Sequence, residues 1–199
     1  MYNKIMKAPS ILAGEKVYLA PVAKEDLELF YKWGNDLEIG QYLTTPTFLP
    51  ITLEDQEMWY EKLKDNSYKR IFSIRNKNNN NTIGRIDLED INWIYNTAYL
   101  SIFIGEKKLW GKGYGSEAIK LALDFCFNIL GLHNISVEIF SYNRRSLKAF
   151  SKVGFRKIGT RKEVVFFAGK YHDTILMEIL AKEFNRNFDR RKNESQKSK

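Results

Sequence analysis

At about 150 residues per domain, a chain of 199 residues is close to one domain long. Hydrophobic residues make up 44% and aromatics 14%, which excludes global disorder; the single cysteine, Cys126, excludes an internal disulfide framework and a cysteine metal cluster. The formal net charge is +8, but residues 181–199 hold seven basic and three acidic residues, so half the excess lies in the last stretch and the body is ordinarily charged. No apolar run reaches the ~20 residues that span a bilayer, and the first residues lack the apolar core of a secretory signal. A soluble, cytoplasmic chain with no membrane partner is expected. Residues 189–199 interleave no aromatics with their charges, so nucleic acid is not the expected partner.

Residues 1–14 carry little pattern and read as an N-terminal arm. Val17 and Leu19 alternate as a short strand that stops at Pro21. Residues 25–33 read as a helix with Leu27, Phe30 and Tyr31 on one face, and 34–51 as loop. Thr52 is placed to cap a second helix running to about Leu63. Residues 70–75 and 82–92 form a hairpin over an Asn-rich turn, and 97–104 alternate through Ala98, Leu100, Ile102 and Ile104. A Gly- and Lys-rich loop, 105–115, leads into a strong helix over 116–129. Ile135, Val137 and Ile139 mark a strand, 143–152 a short helix stopped near Gly154, and 164–167 and 174–180 two final strands turning at Gly169-Lys170. The order β α α β β β α β α β β predicts a mixed α/β (α+β) domain over 15–180, followed by a basic tail over 181–199 that reads as disordered.

The loop Leu109-Trp110-Gly111-Lys112-Gly113-Tyr114-Gly115-Ser116 joins a strand to a helix and holds three glycines in five positions. Glycine allows close backbone approach, and successive N–H groups at a helix start attract anions. Lys107, Lys108 and Lys112 add positive charge, so the loop reads as a phosphate or pyrophosphate cradle. It fails the phosphate-loop pattern, because five residues separate Gly105 from Gly111 and Gly113 stands where a hydroxyl should follow Lys112. It fits the dinucleotide fingerprint poorly, with Ser116 at the third glycine.

The stretch Trp110-Gly111-Lys112-Gly113-Tyr114-Gly115 resembles the acetyl-CoA pyrophosphate loop of the GNAT superfamily of N-acetyltransferases, with Trp110 at the usual Gln or Arg. A second block, Asn143 to Phe155, resembles that family's Asn-x-x-Ser/Ala…Tyr-x-Lys-x-Gly-Phe helix. The likeness runs over about 15–180 and leans to the Rim-type and spermidine acetyltransferase branches. It implies the GNAT fold, a mostly antiparallel mixed sheet flanked by helices. It also implies acetyl-CoA as co-substrate, no metal, and an amine acceptor: a protein N terminus, a small amine, or a polyamine. A non-catalytic CoA-binding regulator stays as a reading of another class, and a homodimer is left open.

The resemblance also implies roles. Ile102, Phe103 and Ile104 lie on the strand that pairs with pantetheine. Trp110, Gly111, Lys112, Gly113, Tyr114, Gly115 and Ser116 form the cradle, and Asn143, Ser146 and Lys152 contact the cofactor. An alkylamine of pKa near 10 is only about 0.1% neutral at pH 7, a cost of about 4 kcal/mol, so the site needs a base. Tyr99 stands where relatives carry a strand carboxylate, which leaves Asp87 and Glu89, two apart on one strand face, as the candidates. Phe150 stands where relatives carry a tyrosine acid; Ser146 is the substitute, with Tyr142 as a weaker option. Asp87 and Tyr171 are expected to contact the acceptor, and His133 and His172 are read as structural.

Overall fold

The computed structural model describes residues 12–43, 50–63 and 66–184. Most of the expected N-terminal arm and of the basic tail lies outside them. The described elements run β1 (Val17–Pro21), α1 (Leu27–Gly34), α2 (Leu37–Gly40), α3 (Leu53–Leu63), β2 (Arg70–Asn76), β3 (Thr82–Asn92), β4 (Thr97–Ile104), α4 (Tyr114–Asn128), β5 (Asn134–Phe140), α5 (Arg144–Val153), β6 (Arg156–Phe167) and β7 (Lys170–Leu180). Two ends of the fold reach further than expected. Leu12 is buried, and residues 181–184 form a helical turn whose Phe184 packs on Phe127 with ring centroids 5.6 Å apart.

The strands form one sheet in the order β1-β2-β3-β4-β5-β7-β6. All neighbours are antiparallel except β4 and β5, which run parallel and pair only at Thr97↔Asn134, Ala98↔Ile135 and Tyr99↔Ser136. A parallel pair needs a crossover, and α4 supplies it. Beyond Tyr99 the two strands part, so among the described residues 100–104 of β4 have β3 on one edge and no strand on the other. That wedge in the middle of the sheet positions the site.

Period-two alternation assigns each strand face. Ile86 and Leu88 of β3, with Ala98 and Leu100 of β4, enter the main core beneath α4, together with Ile119, Leu123 and Cys126. Burial pushes the Cys126 thiol pKa up, so it serves as a small apolar side chain. The opposite face, carrying Arg85, Asp87, Glu89, Ser101 and Phe103, looks toward α1–α3, where Leu27, Phe30, Trp33 and Ile39 form a smaller core.

Asp26 ties that helical layer to the sheet. It is 2% exposed and accepts hydrogen bonds from the Ala23 N–H (2.9 Å), Ser73 Oγ (2.5 Å), Thr82 Oγ1 (2.5 Å) and Arg75 (3.1 Å). Thr52 caps α3 as expected: its Oγ1 accepts from the Asp55 N–H (3.1 Å), and the Asp55 carboxylate accepts from the Thr52 N–H (2.8 Å).

Three elements differ from the sequence reading. Strand β7 begins at Lys170 rather than 174, because the turn from β6 is made by Ala168 and Gly169, both at positive φ, and leaves Lys170 in the ladder. Residues 37–40 form the short helix α2, capped by Asp36, whose side chain accepts from the N–H groups of Glu38 and Ile39. One turn with one buried residue, Ile39, leaves no helical period to read. Strand β6 begins at Arg156 rather than 164, because an edge strand exposed along most of its length carries no alternating apolar signal.

Candidate active site

Two cavities meet in the wedge. The first, about 620 Å³, runs along the glycine loop and is lined by Ile102, Phe103, Ile104, Trp110, Gly111, Lys112, Gly113, Gly115, Ser116, Asn143, Ser146 and Lys152. These are the expected cofactor residues save one. Tyr114 turns its ring into the protein, packs against the main core, and lies beneath the Lys16 ammonium, 5.7 Å from the ring centroid.

Local geometry makes this loop a cradle. Gly111 and Gly113 have φ of +73° and +88°, a left-handed backbone that costs a side-chain-bearing residue about 1–2 kcal/mol. A Cβ on Gly111 would meet nothing within 4 Å, so the space before the loop is open. The Glu117 N–H is bonded to the Gly113 carbonyl, while those of Tyr114, Gly115 and Ser116 belong to the unpaired first turn of α4. Such amides suit an anion. Lys16 adds charge from a distant part of the chain: its Nζ donates to the Lys112 carbonyl at 3.0 Å. Sequence reading missed Lys16, because nothing local marks it. Glu117, in the same first turn, points its carboxylate at the N–H groups of Lys16 (2.8 Å) and Val17 (3.3 Å) and so fastens β1 to α4.

Two expected cations are placed elsewhere. Lys107 is held by Asp36 (2.8 Å) and Glu38 (2.6 Å), and neither it nor Lys108 lines the cavity. Nearness in sequence to the glycines did not make them neighbours of a ligand. Arg145 of α5, which is not among the expected cofactor residues, also lines this cavity. Its guanidinium lies 3.6 Å from the Trp110 ring centroid and 4.9 Å from that of Tyr42. Trp110 in turn donates its indole N–H to the Ile104 carbonyl at 2.6 Å, bracing the loop against the end of β4. The residue in place of the family's Gln or Arg therefore carries an arginine in space.

The second cavity, about 380 Å³, lies on the α1–α3 side of the sheet. Both carboxylates expected as candidates line it. Asp87 is 5% exposed and accepts from Arg85 Nε (2.9 Å) and Nη2 (2.8 Å). Burial raises the Asp87 pKa above the usual carboxylate value, with Arg85 opposing that shift. Glu89 receives Lys69 Nζ at 2.7 Å. Glu138 of β5 joins them from across the wedge. Above, the Arg85 guanidinium carbon sits among three rings, 4.7 Å from the centroid of Trp59, 5.4 Å from Phe103 and 5.5 Å from Phe30. Gln56 of α3 presents a buried Oε1 that has no hydrogen-bond partner among the described residues.

Tyr42, Leu43, Ile102, Phe103, Asn143, Ser146 and Phe150 line both cavities and mark the junction, and Tyr42, which sequence reading left in a loop, brings a phenol there. Asn143 caps α5, its Oδ1 accepting the Ser146 N–H at 3.1 Å, which places Ser146 at the head of that helix. The ring of Phe150 is buried there, so no phenol reaches the junction from that position. Tyr142 does not replace it. Its hydroxyl donates to the Gln41 carbonyl at 2.7 Å, burial pushes its pKa up to about 12, and it lines neither cavity. Tyr171 is exposed on the β6–β7 hairpin against Phe166, outside both cavities. His172 packs on Tyr142 and contacts the Phe167 carbonyl; His133 is exposed beside β5.

Residues 16–156 match the acetyltransferase (GNAT) domain family. The chain belongs to the GNAT acetyltransferases. Spermidine N(1)-acetyltransferase of Vibrio cholerae is 29% identical over 166 residues, covering 83% of this chain and 94% of that protein. An uncharacterized prophage-derived N-acetyltransferase of Bacillus subtilis is 27% identical over 176 residues, covering 87% and 95%. The crystal structure of the Vibrio cholerae spermidine enzyme in complex with CoA and spermine superposes with a TM-score of 0.78 at 27% identity, covering 86% of this chain and 99% of that one. The activity of this GNAT enzyme is transfer of acetyl from acetyl-CoA to an amine, which sets aside the non-catalytic reading. Among the described residues, no helix is long and apolar enough to cross a membrane, and no cluster of His, Cys, Asp and Glu side chains is arranged to hold a metal ion.

The cradle carries a direct prediction. Gly113→Val forces a β-branched residue into φ +88° at the start of α4 and puts side-chain atoms beside the amides. The KM for acetyl-CoA rises about tenfold or more in steady-state assays, while the melting temperature falls by only a few degrees.

Proposed function

We propose that the acceptor is a small-molecule primary amine bound in the cavity on the α1–α3 side, rather than the N terminus of a protein. The observation that carries this is the cavity itself. At about 380 Å³, lined by aromatic and aliphatic side chains together with Lys69, Arg85, Asp87, Glu89 and Glu138, it has the size of a small-molecule site. The names of the spermidine enzymes among the relatives support the same class.

Acetyl-CoA supplies an activated acyl group when bound, and the chain supplies the rest. Gly111, Gly113 and the first amides of α4, with Lys16 and Lys112, hold an anion at one end of the wedge. The edge of β4 that β5 leaves beyond Tyr99 offers backbone groups along 100–103, the Ile104 carbonyl being taken by Trp110. Asp87 takes the proton of the acceptor amine, directly or through water. Its raised pKa makes it a better base than an exposed carboxylate. Glu89 flanks it. Ser146 holds a hydroxyl at the junction, where it can give a proton to a departing thiolate. A thiolate leaves readily, so a weak acid in place of the missing phenol suffices.

A polyamine acceptor is the second reading, favoured by the likeness to spermidine acetyltransferases. The general reading is tested by mixing the protein with acetyl-CoA and following thiol release with small primary amines and with a short peptide bearing a free N terminus. Release above background with small amines is expected; release with the peptide alone would contradict it.

A further inference from the structure

The charge pattern of the acceptor cavity points to a narrower class, resting on the small-amine reading above. We infer that the preferred acceptor is a monoamine with an apolar body and no second cationic group, so that this enzyme parts from its polyamine-acetylating relatives in substrate class.

Each carboxylate on the cavity wall already has a cation. Asp87 is gripped by Arg85 through two nitrogens, Glu89 by Lys69, and Glu138 by Arg161 at 2.9 and 3.0 Å, with a further hydrogen bond from Thr174 Oγ1. A polycation needs carboxylates that are free to receive it, or ring faces that are open. Here the faces of Phe30, Trp59 and Phe103 are turned to the Arg85 guanidinium. A second ammonium would have to break an ion pair or sit near Arg85 and Lys69 in a partly desolvated space, where like charges repel strongly. The same balance favours catalysis on a monoamine. A wall whose carboxylates are each already paired offers an ammonium no free counter-charge and so favours the neutral amine, which is the nucleophile. Lys69 and Glu89 are then specificity-determining residues, because together they set the charge at the cavity edge.

The matched probes are pentylamine and 1,5-diaminopentane, equal in chain length and different by one ammonium. They are compared with spermidine and with a free-N-terminal peptide, using the full chain and acetyl-CoA. The expected kcat/KM for pentylamine exceeds that for 1,5-diaminopentane and for spermidine at least tenfold. Lys69→Gln, which frees Glu89, narrows the pentylamine-to-diamine ratio about fivefold or more. Glu89→Gln, which frees Lys69, widens it. Equal or better use of the diamine or spermidine by the wild type, or a ratio that neither variant moves, overturns the inference while leaving the small-amine reading intact. Transfer to the peptide alone, or to none of the probes, overturns the small-amine reading and the inference with it.

Discussion

Exchanging Asp87 for asparagine lowers kcat by about 10²–10⁴-fold, the range that a positioned general base supplies. The side chain keeps its shape, and the cavity wall stays in place. The loss is specific to proton removal, and pH shows it. A base works only when ionised. Burial raises the Asp87 pKa, so in the wild type kcat/KM falls as pH drops through a value above the ordinary carboxylate range. In Asp87→Asn that acidic limb disappears, leaving a low rate that depends on pH only through the amine itself. If Asp87 served only to hold Arg85, the variant would lose stability and keep the limb. Profiles of kcat/KM against pH for both proteins, alongside thermal melts, separate these cases.

The second large effect is on stability. Asp26→Ala removes the acceptor shared by Ser73, Thr82, Arg75 and the Ala23 N–H. The hydroxyls of Ser73 and Thr82 are buried, and each lost partner costs roughly 1–3 kcal/mol, although neighbouring losses do not simply add. Arg75 is partly exposed and recovers water, so its share is small. A total of about 3–5 kcal/mol is expected, seen as a fall in melting temperature of about 10 °C or more. Asp26 lies outside both cavities, so below the new melting point the acetyl-CoA KM changes little. A melting temperature within 2–3 °C of wild type would show that the four hydrogen bonds contribute far less than their burial implies.

The legible parts of this protein were those with a local period. Ala98, Leu100, Ile102 and Ile104 announce a strand and its buried face, and Asp87 and Glu89 announce a shared face by their spacing of two. The glycines of 111–115 announce a backbone conformation that only glycine adopts cheaply, and two of the three have the positive φ it implies. What stayed hidden depends on distance in the chain. Lys16 reaches the glycine loop from the far edge of the sheet, and Phe30 and Trp59 come from separate helices to enclose Arg85. No spacing rule links residues 30, 59, 85 and 103. Lys107 misled for the converse reason: it is near the loop in sequence, but Asp36 and Glu38 hold it. The divergence of β4 and β5 was also invisible, because both strands alternate normally beyond the point where they part.

That divergence makes one site out of two cavities. The most direct test is a crystal structure of the protein with CoA bound. The pyrophosphate is expected on the amides of 111–116 beside Lys16 and Lys112, the pantetheine arm along the free edge of β4, and the sulfur at the junction within about 3–4 Å of Ser146, with Asp87 facing it from the acceptor side. A pyrophosphate held away from the glycine loop, or a sulfur out of reach of Ser146 and closed off from the Asp87 cavity, would contradict this arrangement.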